Sequence, residues 1–194
     1  MPRSRSSTLG LTVLALLCAL LLAMPTFAGS VGGQDHGKAP AAEAPETPEY
    51  GTIARLHTLD GVFLASQPQP ADFERARTDG VKTVINLRHE DETDFDEPTV
   101  VEELGLGYVH LPFNGPDELT DEVFDQAREL LRTTERPILL HCGSANRVGA
   151  VWLPYRVLDE GLSWDEALAE AKEVGLKTPA YEELAKDYVE RHSR

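Results

Sequence analysis

The sequence predicts a single α/β domain with a four- or five-stranded, mostly parallel sheet and helices on both faces. Strand-like and helix-like segments alternate from residue 50 to residue 194, which is the pattern of α/β domains. Two strand-like segments, residues 81–87 and 137–142, are strongly apolar, as buried strands are. The chain of 194 residues has room for one domain of ordinary size after its N-terminal region.

The domain is expected to begin with a β-hairpin, because apolar runs at residues 53–57 and 62–66 flank a Leu-Asp-Gly turn. Apolar spacing and helix-start residues predict the elements that follow. They are a helix over 71–78, a strand over 81–87, a helix over 98–104, a strand over 108–111, a helix over 120–133, a strand over 137–142 and a helix over 150–158.

Two further helices are predicted at the C-terminal end. Ser163 and Glu166 form a capping-box pattern for the first, and Pro179 suits the first turn of the second. We expect both helices to cover one sheet face, with Trp164 and Tyr181 as packing residues.

The region before the domain has the composition of an export signal followed by a linker. Residues 1–28 combine two arginines, an apolar stretch over 9–24 and a small residue, Ala28, at the expected cut. A helix that crosses a membrane needs about 20 apolar residues, and this stretch is shorter. We therefore expect a cleaved signal and a periplasmic or secreted protein. Membrane attachment is expected only if the signal stays uncleaved. Residues 29–49 are rich in Gly, Ala, Pro and Glu, which indicates a flexible linker.

The charge of the chain excludes one class of partner. The net charge is −15, and loss of residues 1–28 removes two arginines and no acid, which leaves 16 basic and 33 acidic residues and a charge of −17. Such a surface repels nucleic acid, so we predict no nucleic-acid partner. A phosphate site on this protein must create its own local positive potential.

One segment has the pattern of an anion site, with a buried strand, a short loop and an apolar helix. Cys142 follows the strand, and removal of Cys18 with the signal leaves it as the single cysteine. Small loop residues let backbone N–H groups turn inward, and the helix dipole favours both a bound dianion and a thiolate. Arg147 offers a planar fork for two phosphate oxygens. We therefore predict that a nucleophile, Cys142, and a side chain that binds the anion, Arg147, lie close together in this loop.

The motifs around this loop resemble a known family. His141, Cys142 and Arg147, together with the Ala-Ser-Gln-Pro run at 65–68 and the segment 80–88 with Glu92, are similar to the bacterial beta-lactamase hydrolase-like phosphatases and their dual-specificity relatives in the protein tyrosine phosphatase superfamily. The resemblance implies a protein tyrosine phosphatase-like fold. It also implies a phosphocysteine intermediate on Cys142.

The resemblance assigns roles to particular residues and requires no metal or organic cofactor. The substrate would be a phosphorylated protein or a small phosphomonoester. Asp117 is the expected general acid, with Asp121 as its rival. His141 would favour the thiolate, and Arg88 and Glu92 would form a supporting ion pair. The phosphate-binding residues would be Gly143, Ser144, Ala145, Asn146, Arg147 and Val148.

Two departures from the usual phosphatase loop keep alternatives open. Only four residues separate Cys142 from Arg147, and this shorter loop is also that of rhodanese-like sulfurtransferases, which carry a persulfide. Val148 stands where many phosphatases have a Ser or Thr that assists departure of the thiolate, so turnover is expected to be slow. A non-catalytic phosphate-binding pseudophosphatase is the second alternative. We interpret the acidic run from Glu90 to Glu97 as a solvated loop rather than a calcium site.

Export leads to a direct prediction. The native protein should begin near Gly29 and be recovered outside the cytoplasm, because a signal with a small residue at its end is removed during secretion. N-terminal sequencing of the native protein measures this. An intact Met1 on a protein found in the soluble cytosol would contradict it.

Overall fold

The computed structural model describes residues 50–193, so the predicted signal over 1–28 and linker over 29–49 lie outside the described residues. The described part is one α/β domain of five strands and six α-helices. In chain order these are β1 (Leu56–Leu59), β2 (Val62–Ala65), α1 (Pro70–Thr78), β3 (Thr83–Asn86), α2 (Glu97–Glu103), β4 (Gly107–His110), α3 (Asp121–Thr133), β5 (Ile138–His141), α4 (Asn146–Leu158), α5 (Trp164–Val174) and α6 (Pro179–His192). Short 3₁₀ turns occupy Glu90–Glu92 and Pro116–Glu118.

The sheet confirms the predicted fold class. Its strand order is β1-β2-β5-β3-β4, with β1 antiparallel to β2 and every other pair parallel. The hairpin therefore forms one edge, as predicted, and β5 runs between β2 and β3. His141 at the end of β5 lies opposite Ala65 of β2 and Asn86 of β3. The carboxyl ends of three parallel strands thus meet at one edge, which is where ligands bind in open α/β sheets.

Apolar side chains pack on both faces of the sheet. On one face, Val84 and Leu139 pack with Phe73 of α1 and Val101 of α2. On the other face, strand residues such as Leu140 join a larger cluster formed with α3, α4, α5 and α6. Consecutive strand residues point to opposite faces, so the near-continuous apolar runs of β3 and β5 serve both clusters.

Helix α4 is the centre of the larger layer. Ten of its residues, from Arg147 to Arg156, are buried, as expected of a helix that is covered on all sides. The two C-terminal helices lie on one side of the sheet, as predicted, and they pack mainly against α4, which itself lies on β2 and β5. Tyr181 is buried and Trp164 is partly buried against this cluster, so both pack as predicted.

A close approach between helices fixes the start of α4. A methyl group at Gly149 would lie 2.8 Å from the Ala171 carbonyl oxygen of α5 and 2.9 Å from Leu176, so only glycine fits.

The predicted capping box is present, with the Ser163 hydroxyl accepting from the Glu166 amide at 3.3 Å. In the described part of the chain, no helix is long and apolar enough to cross a membrane.

Candidate active site

Cys142 is the first residue after β5, at the carboxyl edge of the sheet. Its backbone N–H donates to the Ala65 carbonyl at 3.3 Å, which continues the pairing with β2 by one residue. The side chain is 1% exposed and the thiol is free of any disulfide. The nucleophile predicted from the sequence therefore lies at the base of the loop, on a strand with neighbours on both sides.

The loop after Cys142 is tied to the end of β2. The Gln67 N–H donates to the Gly143 carbonyl at 3.4 Å, and Ser66 and Ser144 form an antiparallel bridge. Ala145 closes the loop with a φ of +65°, in the left-handed region that side-chain-bearing residues seldom adopt. This turn lets α4 begin at Asn146, four residues earlier than the predicted start at residue 150.

The early start of α4 places its first turn directly at the loop. Asn146, Arg147 and Val148 are its first three residues, and N–H groups at these positions have no carbonyl partner within their own helix. They are donors for an anion, and the dipole of this 13-residue helix adds positive potential. The side chain of Val148 is fully buried, so only its backbone is available to a ligand.

The side chain of Asn146 braces the loop. Its Oδ1 accepts from the Lys177 amide at 2.8 Å and the Thr178 amide at 3.2 Å, and its Nδ2 donates to Thr178 Oγ1 at 2.8 Å. These bonds join the loop to the segment between α5 and α6. The side-chain amide is consequently engaged by protein, and the backbone of Asn146 is the part that faces an anion.

Arg147 is anchored on one side and has donors left on the other. Its Nη1 donates to the carbonyls of Leu87 at 3.1 Å and Phe113 at 2.8 Å, and both Nη1 and Nη2 donate to the Glu92 carboxylate, at 2.7 and 2.6 Å. Within residues 50–193, Nε and the second Nη2 hydrogen have no acceptor. A methyl group on Gly143 would lie 3.7 Å from Nη2, so this guanidinium lies against the loop. Its remaining donors suit a two-point bond to phosphate.

Glu92 pairs with Arg147, and sequence reasoning missed this contact. The expected partner, Arg88, is also close, with its Nε 3.6 Å from Glu92 Oε2 and an Nη2 bond to the Glu92 carbonyl. The hydrogen bond from Arg147 lowers the pKa of Glu92 to about 2, against the opposing effect of burial. Glu92 is therefore ionised at neutral pH, where it orients the Arg147 guanidinium.

His141 lies under the loop and bonds a carboxylate that the sequence did not single out. Its Nε2 is 2.8 Å from Glu97 Oε1, and both side chains are fully buried. Glu97 also accepts from Gln67 Nε2 at 3.0 Å. The interpretation of residues 90–97 as a solvated acidic loop is thus wrong for Glu92 and Glu97. No sequence signal pairs residues 97 and 141.

The loop that carries Asp117 lies beside Arg147. Phe113 supplies a carbonyl to Arg147, and the Gly115 N–H donates to the Tyr181 hydroxyl at 2.9 Å, which fixes the loop against α6. Asp117 is exposed in the 3₁₀ turn, and its carboxylate has no hydrogen-bond partner in the described region.

The rival acid is engaged elsewhere. The carboxylate of Asp121 accepts from Arg191 Nη1 at 2.5 Å and Nη2 at 2.8 Å, and this pairing lowers the pKa of Asp121. Glu118, the neighbour of Asp117 in the same turn, accepts from the Asn114 amide at 2.7 Å and lies 2.7 Å from His89 Nε2. Glu118 therefore links the loop that carries Asp117 to the segment after β3.

Among residues 50–193, no three His, Cys, Asp or Glu side chains are placed to hold a metal ion.

The pairing of Glu92 predicts a pH-dependent contribution to stability. A carboxylate whose pKa falls from its ordinary value of 4.5 to about 2 on folding stabilises the protein above pH 4.5, and this effect is lost as the pH falls toward 2. Glu92→Gln should therefore be less stable than the wild type at neutral pH and approach it near pH 2. Urea unfolding of both proteins across this range measures the difference.

Glu122→Gln removes an exposed carboxylate of α3 and controls for the loss of one negative charge. If the stability difference between wild type and Glu92→Gln were constant from pH 7 to pH 2, the ion pair would not account for it.

Several solved structures share this fold. A putative phosphatase (DUF442) from Shewanella putrefaciens CN-32 has a TM-score of 0.60 at 18% identity, covering 74% of this chain and 96% of its own. TpbA of P. aeruginosa, in complex with pTyr, has a TM-score of 0.57 at 22% identity, with coverages of 72% and 85%. PTPMT1 in complex with PI(5)P has a TM-score of 0.59 at 18% identity, with coverages of 68% and 92%. No curated protein sequence matches the chain significantly.

Family membership follows from the sequence itself. Residues 55–156, more than half of the chain, match the family described as beta-lactamase hydrolase-like protein, phosphatase-like domain. The matched range runs from β1 through the loop after Cys142 and most of α4. The family supports phosphatase activity in general terms, in agreement with the resemblance seen in the motifs. The chain belongs to the beta-lactamase hydrolase-like phosphatase domain family and has a protein tyrosine phosphatase-like fold.

Proposed function

We propose that this protein is a cysteine-dependent phosphomonoester hydrolase of the dual-specificity type, with Cys142 as nucleophile and Arg147 as phosphate clamp. The observation that carries the proposal is the state of Arg147, which is fixed by Glu92 and two carbonyls and still has two donors without an acceptor among residues 50–193, beside the Cys142 loop. A guanidinium fixed in this way can bind two equatorial oxygens of a transferring phosphoryl group without reorganisation.

In the first step, the Cys142 thiolate attacks phosphorus. A sulfur–phosphorus bond forms while the ester phosphorus–oxygen bond breaks. Arg147 and the N–H groups of the first turn of α4 hold the oxygens, and Asp117 in its acid form gives its proton to the leaving oxygen. The products of this step are phosphocysteine and the free alcohol or phenol.

In the second step, water attacks phosphorus and the sulfur–phosphorus bond breaks. The Asp117 carboxylate takes the proton from the water, which restores its acid form and releases phosphate from the Cys142 thiolate. Val148 has no hydroxyl to donate to the departing sulfur, and its side chain is buried. This step is therefore expected to be slow and to limit turnover.

The substrate class is a phosphorylated protein or a small phosphomonoester. Proteins of the same fold have been captured with pTyr and with PI(5)P, so the fold accommodates both an aryl and an inositol phosphate. The net charge of −15 gives no long-range attraction for either, which leaves Arg147, Arg88 and the α4 dipole as local sources of positive potential. The protein is proposed to act outside the cytoplasm, after removal of residues 1–28.

Sulfur transfer through a Cys142 persulfide is the alternative that the four-residue loop favours. Parallel assays of the protein with an aryl phosphate and with thiosulfate plus cyanide separate the two reactions. The proposal expects phosphate release, abolished in Cys142→Ser, and no thiocyanate. Thiocyanate alone would establish the sulfurtransferase, and failure of both reactions would favour a phosphate-binding pseudophosphatase.

The clamp geometry predicts the effect of a conservative change. Arg147→Lys keeps the positive charge but loses the planar fork, so the rate of aryl phosphate hydrolysis should fall by about 10²-fold or more. Steady-state kinetics measure the loss, with Arg77→Lys, an exposed position on α1, as the matched control. A lysine variant with nearly the wild-type rate would show that Arg147 contributes to the fold or to the local positive potential and does not bind the transition state through its planar fork.

The acid is tested through the leaving group. Asp117→Asn should lower the rate of hydrolysis of phenyl phosphate, whose leaving oxygen is strongly basic, by about 10²-fold or more. The rate on p-nitrophenyl phosphate should fall markedly less, because nitrophenolate leaves without protonation. The fall in rate at high pH should disappear and the acidic limb should remain.

Asp121→Asn is the control, because this carboxylate is held by Arg191. Equal losses on both substrates in Asp117→Asn, with an unchanged high-pH limb, would mean that Asp117 only shapes its turn.

A further inference from the structure

The start of α6 is hydrogen-bonded to both sides of the candidate active site. On one side, the Thr178 amide donates to Asn146 Oδ1 at 3.2 Å, and Thr178 Oγ1 accepts from Asn146 Nδ2 at 2.8 Å, which ties α6 to the loop that follows β5. Three residues further on, the Tyr181 hydroxyl accepts from the Gly115 N–H at 2.9 Å. One short stretch of chain therefore joins the loop that follows β5 to the loop that carries Asp117.

Tyr181 is held firmly in its own position. Its side chain is 4% exposed, and its ring packs edge-on against Phe113, with centroids 5.9 Å apart. Its backbone N–H donates to the Thr178 carbonyl at 3.0 Å in the first turn of α6. A hydrogen bond to a buried hydroxyl meets little competition from water, so breaking it costs more than breaking an exposed one. The Tyr181 hydroxyl is therefore a fixed point for the backbone of the facing loop.

Gly115 is the residue at which the facing loop changes direction most easily. Its φ of +86° lies in the left-handed region, and a methyl group at this position would meet nothing within 4 Å. The backbone conformation, and not a lack of space, thus favours glycine here. Pro116 follows, and its ring fixes φ. Few free torsions therefore separate the Gly115 amide, which Tyr181 holds, from the carboxyl group of Asp117.

The rest of this turn is closed on itself, so an anchor at one residue acts on all of it. The Glu118 amide donates to the Gly115 carbonyl at 3.4 Å, and the Glu118 carboxylate accepts from the Asn114 amide at 2.7 Å. The turn has a second side-chain contact, between Glu118 and His89, but these side chains are 50% and 38% exposed. Exposed pairs contribute little to stability. The bond to Tyr181 is therefore the stronger of the two.

We propose that Tyr181 is a positioning residue for the general acid: its hydroxyl holds Gly115, so that the first turn of α6 sets the location of Asp117 relative to the Cys142 loop. The inference rests on the proposed role of Asp117. Tyr181 lies outside residues 55–156, which match the family, so the match assigns it no role. A general acid acts only within hydrogen-bond reach of the leaving oxygen, so a loop released at Gly115 loses part of this contribution.

Amide hydrogen exchange, followed by NMR of the ¹⁵N-labelled protein, tests the bond itself. Tyr181→Phe removes the hydroxyl and keeps the ring, so the Gly115 amide should exchange about tenfold faster or more. Tyr188→Phe is the matched control, because it removes another buried hydroxyl of α6, one bonded to Asp125 and Arg128. It should leave exchange at Gly115 unchanged. An unchanged rate in Tyr181→Phe, or an equal rise in Tyr188→Phe, would overturn the proposal.

The effect on catalysis is measured through the leaving group. Tyr181→Phe should lower kcat/KM for phenyl phosphate about tenfold and kcat/KM for p-nitrophenyl phosphate much less, because only the first substrate needs the acid. Tyr188→Phe should match the wild type on both substrates. Damage to the Cys142 loop would lower both values together, so equal losses in Tyr181→Phe would contradict the positioning role.

A double variant shows whether Tyr181 acts through Asp117. Asp117→Asn has already lost the acid, so adding Tyr181→Phe to it should produce little further loss on phenyl phosphate. Two additive losses would mean that Tyr181 acts by another route, such as through Phe113, which packs on its ring and supplies a carbonyl to Arg147. That result would contradict the proposal.

Failure of the proposed function and failure of this inference give different results. Hydrogen exchange requires no turnover, so it reports on the bond between Tyr181 and Gly115 whether or not the protein hydrolyses phosphate esters. If the wild type hydrolyses neither ester, the proposed phosphatase activity is wrong, and the exchange comparison alone decides whether Tyr181 holds the loop. If the wild type hydrolyses both esters and Tyr181→Phe changes neither exchange nor leaving-group dependence, the phosphatase is supported and this inference is wrong.

Discussion

The two-point ion pair between Arg147 and Glu92 is the interaction on which the rest of the site depends. It joins α4 to the turn after β3, and the same guanidinium donates to a carbonyl that follows β3 and to one in the loop that carries Asp117. One side chain thereby holds α4, the segment after β3 and the Asp117 loop together. Because the pair uses one edge of the guanidinium, the opposite edge is fixed in the direction of the Cys142 loop.

This local arrangement solves a problem posed by the whole chain. A protein with a net charge of −15 repels anions at long range, so a phosphate site requires concentrated positive potential at short range. Arg147, Arg88 and the N-terminus of α4 supply it from around the Cys142 loop. The neighbouring carboxylates, Glu92 and Glu97, are each paired with a basic side chain, Arg147 and His141, so neither is left unpaired beside the site.

The sequence was sufficient for the elements and for the residues of the loop, because both are local properties. Apolar periodicity identified β3 and β5, and the resemblance identified Cys142 and Arg147. The start of α4 was misplaced because it depends on the left-handed backbone of Ala145 and on bonds from Asn146 to the segment after α5. These long-range bonds have no signature in a local pattern.

The pairings within the site were harder to predict for the same reason. Glu92 was expected to serve Arg88, four residues away, whereas its strongest contact is with Arg147, 55 residues away. Glu97 was interpreted as part of a solvated loop because charge runs are usually solvated, yet its partner His141 is brought close to it only by the sheet order. The fold was therefore predictable from the sequence, and the network of contacts around the Cys142 loop was not.

The central claim is that phosphate is transferred to Cys142 before it reaches water. Acid quenching of the protein during turnover of an aryl phosphate, followed by mass spectrometry of its peptides, tests this most directly. Because Val148 leaves the second step unassisted, phosphate should accumulate on the peptide that contains Cys142 and disappear once substrate is exhausted. Steady hydrolysis with phosphate on another side chain, or undiminished hydrolysis by Cys142→Ser, would contradict the account.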